Sequence, residues 1–397
     1  TTTSVSSAPD PSVFGEPVTF TATVAPVAPG AGTPTGTVTF VISGGPTLTG
    51  TLSGGTASVT TSALAVGTHS VTATYSGDPN FTASSGTDTQ TVILAATTTA
   101  VSSSPDPSVV GEPVTFTATV APVSPGAGTP TGTVTFLATD GVTTVTLTGT
   151  LSGGTTSVTT SGLVTAGVYA VTATYSGDAG FSGSVGADTQ TVGQASTTTA
   201  LISAPDPSVV GQTVTFTATV TPVSPGTGTP TGVVTFVITG GPTLVGTLAG
   251  GTASVTTSAL GAGTHTATAT YSGDLNFTGS SDTDTQTVNQ ASTTTAVLTA
   301  PDPSVVGEPV TFTATVAPVS PGAGVPTGTV TFVATDGVTT VALTGTLVGG
   351  TTSVVTTGLV TAGLYTVTAT YSGDADFSGS VGTDTQTVGQ ASTTTSV

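Results

Sequence analysis

Residues 17–26 read PVTFTATVAP, so that Val18, Phe20, Ala22 and Val24 alternate with Thr19, Thr21 and Thr23. An apolar residue at every second position places all four on one face of an extended strand and the threonines on the other. TGTVTFVI from Thr35 repeats the pattern through Val38 and Phe40; TASVTTSAL, HSVTATYSGD and TDTQTV follow, separated by turn clusters such as SGG and AVG. Short half-buried strands with Gly and Pro punctuation, and no helical periodicity, predict an antiparallel β-sandwich. Upstream lies PDPS, where Pro9 and Pro11 are expected to mark a kink at which an edge strand changes sheets. Proline cannot donate into a central ladder, and at an edge it discourages stray pairing.

The same stretch returns along the chain. TTTSV opens it at Thr1, TTTAV recurs at Thr97 and Thr293, TTTAL at Thr197, and TTTSV closes it from Thr393. PDPS starts at Pro9, Pro105, Pro205 and Pro301, and TATYSGD places tyrosines at 75, 175, 271 and 371. Copies of 96 and 100 residues alternate, which is the mark of a tandem array. The first and third share GGPTL and a GTH turn at His69 and His265; the second and fourth share ATDGVTTV and a turn ending in Tyr169 and Tyr365. The chain is therefore read as A–B–A–B, with modules at residues 1–96, 97–196, 197–292 and 293–392. Residues 393–397 are read as the first strand of a following module or a strand used by a neighbouring subunit. Thr1, in place of an initiator Met, is read as the start of a mature or excised product.

Composition narrows the function. The 397 residues include no Lys, Arg, Cys, Met or Trp, against 19 acids, for a formal charge of −19. Nucleic acid is excluded as a partner, because no basic footprint exists and the negative field repels phosphate. No stretch is long and apolar enough for membrane insertion. Disulfides and lysine–asparagine crosslinks are impossible. Hydrophobic residues at 36%, in strict alternation with Thr, argue against disorder. The absent residues are the nitrogen-rich and sulfur-bearing ones, and every trypsin-type site is missing with them. Both features fit a product exported in bulk.

Leu163-Val-Thr-Ala-Gly-Val-Tyr169 has the form of a tyrosine corner, in which a Tyr hydroxyl bonds back to the preceding turn. Tyr365 repeats it, and His69 and His265 occupy the place in the A modules, so a structural corner is assigned to His69, Tyr169, His265 and Tyr365. PTGTVTF, SGGTASVTTSAL, GTHSVTATYSGD and the Phe81-Thr-Ala-Ser tail resemble the bacterial immunoglobulin-like repeat family over all four modules. The resemblance implies tandem immunoglobulin-like antiparallel β-sandwiches in secreted or surface-anchored stalks, spacers and adhesive arms. It brings no catalytic residues.

Other constellations carry less. Gly30-Ala-Gly-Thr-Pro-Thr-Gly36 leads into a strand, contains Pro34 and has no Lys, so it is a loop and not a phosphate cradle. Serine lacks a general base, and no Trp platform accompanies the carboxylates Asp282 and Asp284, so no catalytic or cofactor-binding residue is assigned. Calcium is the one cofactor weighed, and none is required. Immunoglobulin topology would set Glu112 and Asp140 of module 2 against Asp274, Asp282 and Asp284 of module 3, oxygens that a hard cation could bridge. The same acids also serve as solvated loop carboxylates and turn caps, and module 3 has Gln212 in the place of the glutamate. Asp10, Asp106, Asp206 and Asp302 of PDPS are read as turn formers. The outward threonines are ordinary strand residues and glycan acceptors, and Asn80-Phe-Thr82 and Asn276-Phe-Thr278 are N-glycosylation sequons.

TQTVGQASTTTA runs one module into the next with almost no linker, which predicts an elongated semi-rigid rod. The expected function is non-enzymatic: an extracellular, cell-surface structural protein forming a segment of a fibre, filament or stalk. The expected partners are neighbouring copies, head to tail or lateral, with any glycan or surface receptor engaged through regions not seen. An adhesin stalk, or an accessory array of a secreted polysaccharide-active enzyme, stands as the alternative.

Overall fold

The computed structural model describes residues 1–395; Ser396 and Val397, part of the expected closing strand, lie outside the described residues. Every regular element among them is a strand. In the first module these are β1 (Thr2–Ala8), β2 (Ser12–Val13), β3 (Val18–Ala25), β4 (Thr37–Ile42), β5 (Thr47–Thr51), β6 (Thr56–Thr61), β7 (Gly67–Tyr75) and β8 (Ser84–Ile93). They form a three-stranded sheet ordered β1-β3-β6 and a five-stranded sheet ordered β2-β8-β7-β4-β5. The three later modules repeat both sheets.

The alternation in PVTFTATVAP does what period two requires. Val18, Phe20, Ala22 and Val24 are buried, and they meet Val38, Phe40 and Ile42 of β4 and Val71, Ala73 and Tyr75 of β7 in one core between the sheets. Fully burying a Val, Phe or Leu side chain stabilises by about 1.5–3 kcal/mol, so this face drives the sandwich. On the outer face Thr19 pairs Thr60, and Thr21 pairs Ser58, through hydroxyl hydrogen bonds of 3.0 Å. The four repeated modules, all β and sandwich-like, are the architecture expected of the sequence.

PDPS is the sheet-switching kink. Residues Thr2–Ala8 run antiparallel to β3, whereas Ser12 and Val13 run parallel to β8 in the other sheet. The Ala8–Pro9 and Asp10–Pro11 bonds between them are both cis. One strand was not foreseen: β5 pairs β4 at the edge of the larger sheet. Its TLTGT offers only Leu48 and Gly50 to the inner face, too little alternation to register as a strand. In the second module the same hairpin is longer, Thr133–Thr139 against Thr144–Thr150, and accommodates the ATDGVTTV insertion.

The chain divides into two compact units, Thr1–Ala195 with Ser224–Gly228, and Ser196–Val223 with Thr229–Val397. No helix among the described residues is long and apolar enough to cross a membrane. Thr393–Thr395 are exposed and form no strand.

Candidate functional site

The corner residues are buried and bonded to their own turns. The Tyr169 hydroxyl accepts the Thr165 N–H at 3.3 Å, and the Tyr365 hydroxyl accepts that of Thr361 at 3.3 Å. In the A modules the imidazole reaches the residue four back as well, with His69 Nε2 2.8 Å from Ala65 O and His265 Nε2 2.8 Å from Gly261 O. Each Nδ1 faces a second carbonyl, Ser43 O at 2.7 Å and Thr239 O at 2.8 Å. Both ring nitrogens thus face backbone carbonyls. Both kinds of corner tie the turn to the neighbouring hairpin: in the B modules Thr143 Oγ1 meets Thr165 Oγ1 at 2.9 Å and Thr339 Oγ1 meets Thr361 Oγ1 at 2.8 Å.

The acids proposed as calcium ligands each have a local task. Glu112 Oε2 accepts the Val109 N–H at 2.9 Å, and Gln212 Oε1 accepts that of Val209 at 3.1 Å. Module 3 therefore tolerates Gln because the turn needs an acceptor, with or without charge. Asp140 Oδ1 closes its hairpin by accepting the N–H groups of Val142 and Thr143 at 2.9 and 2.6 Å. Asp274 Oδ2 accepts from the Thr231 N–H and Oγ1, at 2.8 and 2.6 Å, and Oδ1 from Asn276 and Phe277. Asp282 and Asp284 stand within the strand Thr278–Asn289. Asp282 Oδ2 accepts the Leu201 N–H at 2.9 Å and Asp284 Oδ2 the Ser203 hydroxyl at 2.6 Å, stitching the first strand of the module to the last. Glu112 and Asp140 belong to one unit, and Asp274, Asp282 and Asp284 to the other. Among the described residues no three His, Asp or Glu side chains come together as a metal site.

Asp274 has counterparts in Asp78, Asp178 and Asp374, each braced by a threonine and two backbone donors. Hydrogen bonds from Thr35 hold Asp78 well below the usual carboxylate range. Burial is the largest influence on Asp178, Asp274 and Asp374 and raises them, but the threonine and backbone donors together keep all three low. Burial first, and the neighbouring Asp charge second, push Tyr175, Tyr271 and Tyr371 up to about 12.

Sequence reasoning missed one buried polar residue in each module. Gln90, Gln190, Gln286 and Gln386 are fully buried. The Gln90 amide donates to Pro9 O, Ser12 Oγ and Thr91 O at 3.0, 3.1 and 2.9 Å, while Asp10 Oδ1 accepts the Thr91 N–H at 2.9 Å. Together they lock the PDPS kink onto β8, Asp10 through the Thr91 N–H of that strand. In TDTQTV the glutamine reads as one more outward polar residue, so only its pairing partner reveals it.

The surfaces that join modules carry the most built geometry. Inside the first unit Ala95, between β8 and the strand Thr97–Ser104, is fully buried. Its N–H donates to Gly180 O at 2.9 Å and its carbonyl accepts from Ser182 N at 2.9 Å, a parallel bridge to Phe181. Phe14 O accepts the Ala127 N–H at 3.2 Å, and the Phe14 ring meets Phe181 edge-on at 5.3 Å. Gly126 has to be glycine, since a Cβ there would stand 2.6 Å from that of Ala95. The second unit repeats the joint: Ala291 N–H donates to Asp376 O at 2.9 Å, Ala291 O accepts from Ser378 N at 3.0 Å, and Val210 O accepts from Ala323 N at 3.1 Å. The Gln290 amide adds a bond of 2.8 Å to Asp374 O. Val210 stands where the first unit has Phe14, and a groove of about 390 Å³ remains beside it, lined by Leu260 and Asp376 among others.

The bacterial Ig-like domain (group 3) matches the chain four times, at residues 5–93, 101–193, 201–289 and 297–389. The chain belongs to this family. No curated protein matches it. Among solved structures, this array of bacterial Ig-like domains is similar to the fibronectin(III)-like modules of Clostridium thermocellum CbhA, at 20% identity over 48% of this chain and 94% of that one, with a TM-score of 0.21. It is similar also to a run of titin domains, at 15% identity over 74% and 99% of the two chains and a TM-score of 0.29. With E. coli alpha-2-macroglobulin the identity is 11%, the coverage 98% of this chain and 33% of that one, and the TM-score 0.22. Tandem bacterial Ig-like domains fit a structural or linker role, and domains of this kind are typically non-catalytic.

Proposed function

We propose that the chain is a load-bearing repeat segment of an extracellular structural protein, a surface fibre or stalk, and acts without catalysis. The observation that carries this is the parallel pairing, in every module, of the short strand after PDPS with the exit strand. β2 runs parallel to β8, Ser12 against Val92 and Val13 against Ile93, and the Phe14 N–H continues the pairing to Ile93 O at 2.9 Å. Tension enters such a module through β1, reaches β2 beyond the PDPS kink, and leaves through β8. Because β2 and β8 are parallel, it pulls them in opposite directions along a common axis and loads their hydrogen bonds together in shear. The bridged alanines at 95 and 291 pass the load from module to module through backbone hydrogen bonds. Extracellular placement rests on the family resemblance and on a composition free of Lys and Arg, which leaves trypsin-type proteases no site.

Stretching single full-length chains tests this. Four separate unfolding events are expected, each releasing about 300 Å of contour at roughly 3.4 Å per residue. Val306→Pro removes the donor of the 3.1 Å bond to Gly389 O and should lower the force of one event only. Unchanged forces in that variant would sink the shear mechanism.

A further inference from the structure

The edge of the larger sheet differs between the two kinds of module. In modules 1 and 3 it is a five-residue strand, Thr47–Thr51 or Thr243–Thr247, entered directly from Pro46 or Pro242. In modules 2 and 4 it is a seven-residue strand, Thr144–Thr150 or Thr340–Thr346, entered from a turn without proline. Hydrogen bonds at the two ends of the longer hairpin fix which groups are free. Asp140 N donates to Thr143 O at 3.3 Å and Leu151 N to Gly132 O at 2.9 Å, so the bonded pairs fall on Val145, Leu147 and Gly149. The N–H and C=O groups of Thr144, Thr146 and Thr148 therefore point away from the sheet, and the strand pairs with none but Thr133–Thr139. The same alternation in module 4 leaves those of Thr340, Ala342 and Thr344. Sheet edges are ordinarily blunted by charge, proline, a bulge or shortness. The edges of modules 1 and 3 are short and led by proline; Thr-Val-Thr-Leu-Thr and Thr-Val-Ala-Leu-Thr in modules 2 and 4 have no such device. At the tips of the same hairpins Val142 and Val338 are 92% and 90% exposed. Module 2, with a module before and after it in the chain, carries this edge as module 4 does.

We propose that the edges of modules 2 and 4 pair, antiparallel, with the same edges of a second copy of this chain, joining copies side by side. This deepens the fibre reading and rests on it. The edge sets the chemistry of its occupant, because free N–H and C=O groups at every second residue take an extended strand. The sequence makes the edge its own complement. With Thr146 opposite Thr146 of the second copy, Thr144 meets the second copy's Thr148, and every outward N–H of the three faces an outward carbonyl. In module 4 Ala342 takes the central place between Thr340 and Thr344. The same register lays Val142 alongside the second copy's Thr150 and covers it. Charge favours contact at this strand over other surfaces. Copies with a formal charge of −19 repel, and the edge strand contains no acid. The nearest one in sequence, Asp140, turns Oδ1 onto the Val142 and Thr143 N–H groups of its own hairpin. The A–B alternation then has a use: a pairing module recurs once in every two, with a blunted one between.

Sedimentation of the full chain tests this. Its mass should rise with protein concentration, and with salt as screening weakens the repulsion. Thr146→Pro combined with Ala342→Pro removes the central outward donors and leaves each hairpin's own hydrogen bonds, so it should weaken association about tenfold or more. Thr49→Pro combined with Val245→Pro, at the matching places in modules 1 and 3, should leave association unchanged. Thr146→Glu combined with Ala342→Glu guards against a proline that disturbs folding. It sets like charges opposite each other, so association should weaken at low salt and return at high salt. Amide exchange over residues 144–148 should slow as concentration rises, while residues 47–49 stay fast. A chain that is monomeric at every concentration and salt overturns the proposal. So does association that the module 1 and 3 variant weakens as much as the module 2 and 4 variant. Neither result alters the unfolding forces of single stretched chains, so failure of side-by-side pairing and failure of the load-bearing reading are distinguishable.

Discussion

Asp336 and Asp140 show how a side chain with no ionic partner becomes an anion the fold depends on. Asp336 Oδ1 accepts the N–H groups of Thr339 and Val338 at 2.6 and 2.9 Å, and those backbone donors bring its pKa down to about 2. Without Lys or Arg, backbone amides and threonine hydroxyls do the work that cations do elsewhere. The sign follows from linkage. A carboxyl whose folded pKa lies below its unfolded value, near 4, stabilises fully above that value and loses its contribution as pH falls through the folded one. The melting temperature should therefore drop between about pH 4 and about pH 2, and Asp336→Asn should narrow its gap from the parent chain over that window. A gap that does not change with pH would rule out the carboxylate as the source.

At the scale of elements, the kink between the first two strands is the point where both sheets are held together. Between Ser104 and Ser108 the chain passes from one sheet to the other, and Gln190 secures the turn from inside. Its amide serves Pro105 O, Ser108 Oγ and Thr191 O at 3.0, 3.1 and 2.9 Å. Gln190→Leu keeps the volume but removes the donor to the buried Ser108 hydroxyl and to two partly buried carbonyls, at a cost of about 1–3 kcal/mol. Calorimetry of the full chain should then show one module melting ahead of the other three. A shift within about 0.5 kcal/mol, the range of an ordinary surface substitution, would show that the glutamine is dispensable.

Over the whole molecule, electrostatics has one sign. Nineteen acids and no Lys or Arg leave a formal charge of −19 and a self-repulsion that no Lys or Arg offsets. Screening shortens that repulsion to about 8 Å at physiological ionic strength. The melting temperature should consequently rise with salt for the full chain. A flat or falling salt dependence would mean that the acids, spread over four modules, are too far apart to interact. The repeated hydrogen-bonded acids at 78, 178, 274 and 374 also explain why the charge is tolerated: each is consumed locally by a loop.

The alternation of Val18, Phe20, Ala22 and Val24, the returning TTT and PDPS tags, and the corner at Tyr169 were enough to establish four β-sandwiches and their A–B order. The kink at Pro9 and Pro11 was also legible, because proline's missing N–H is a local property. These features rest on contacts between near neighbours or on periodicity, which one strand carries by itself. Which strand lies beside which was settled only by the folded chain. Gln90 is buried through bonds to Pro9 and Ser12, 81 and 78 residues away, and the Asp284 carboxylate meets Ser203 across 81. Period two assigns a side chain to a face but not to a partner, so a polar residue that closes a kink and one that faces water are written alike. The joints follow the same rule. Ala95, an alanine in the joint between two strands, is buried only when Gly126 and Phe181, distant in sequence, are brought around it.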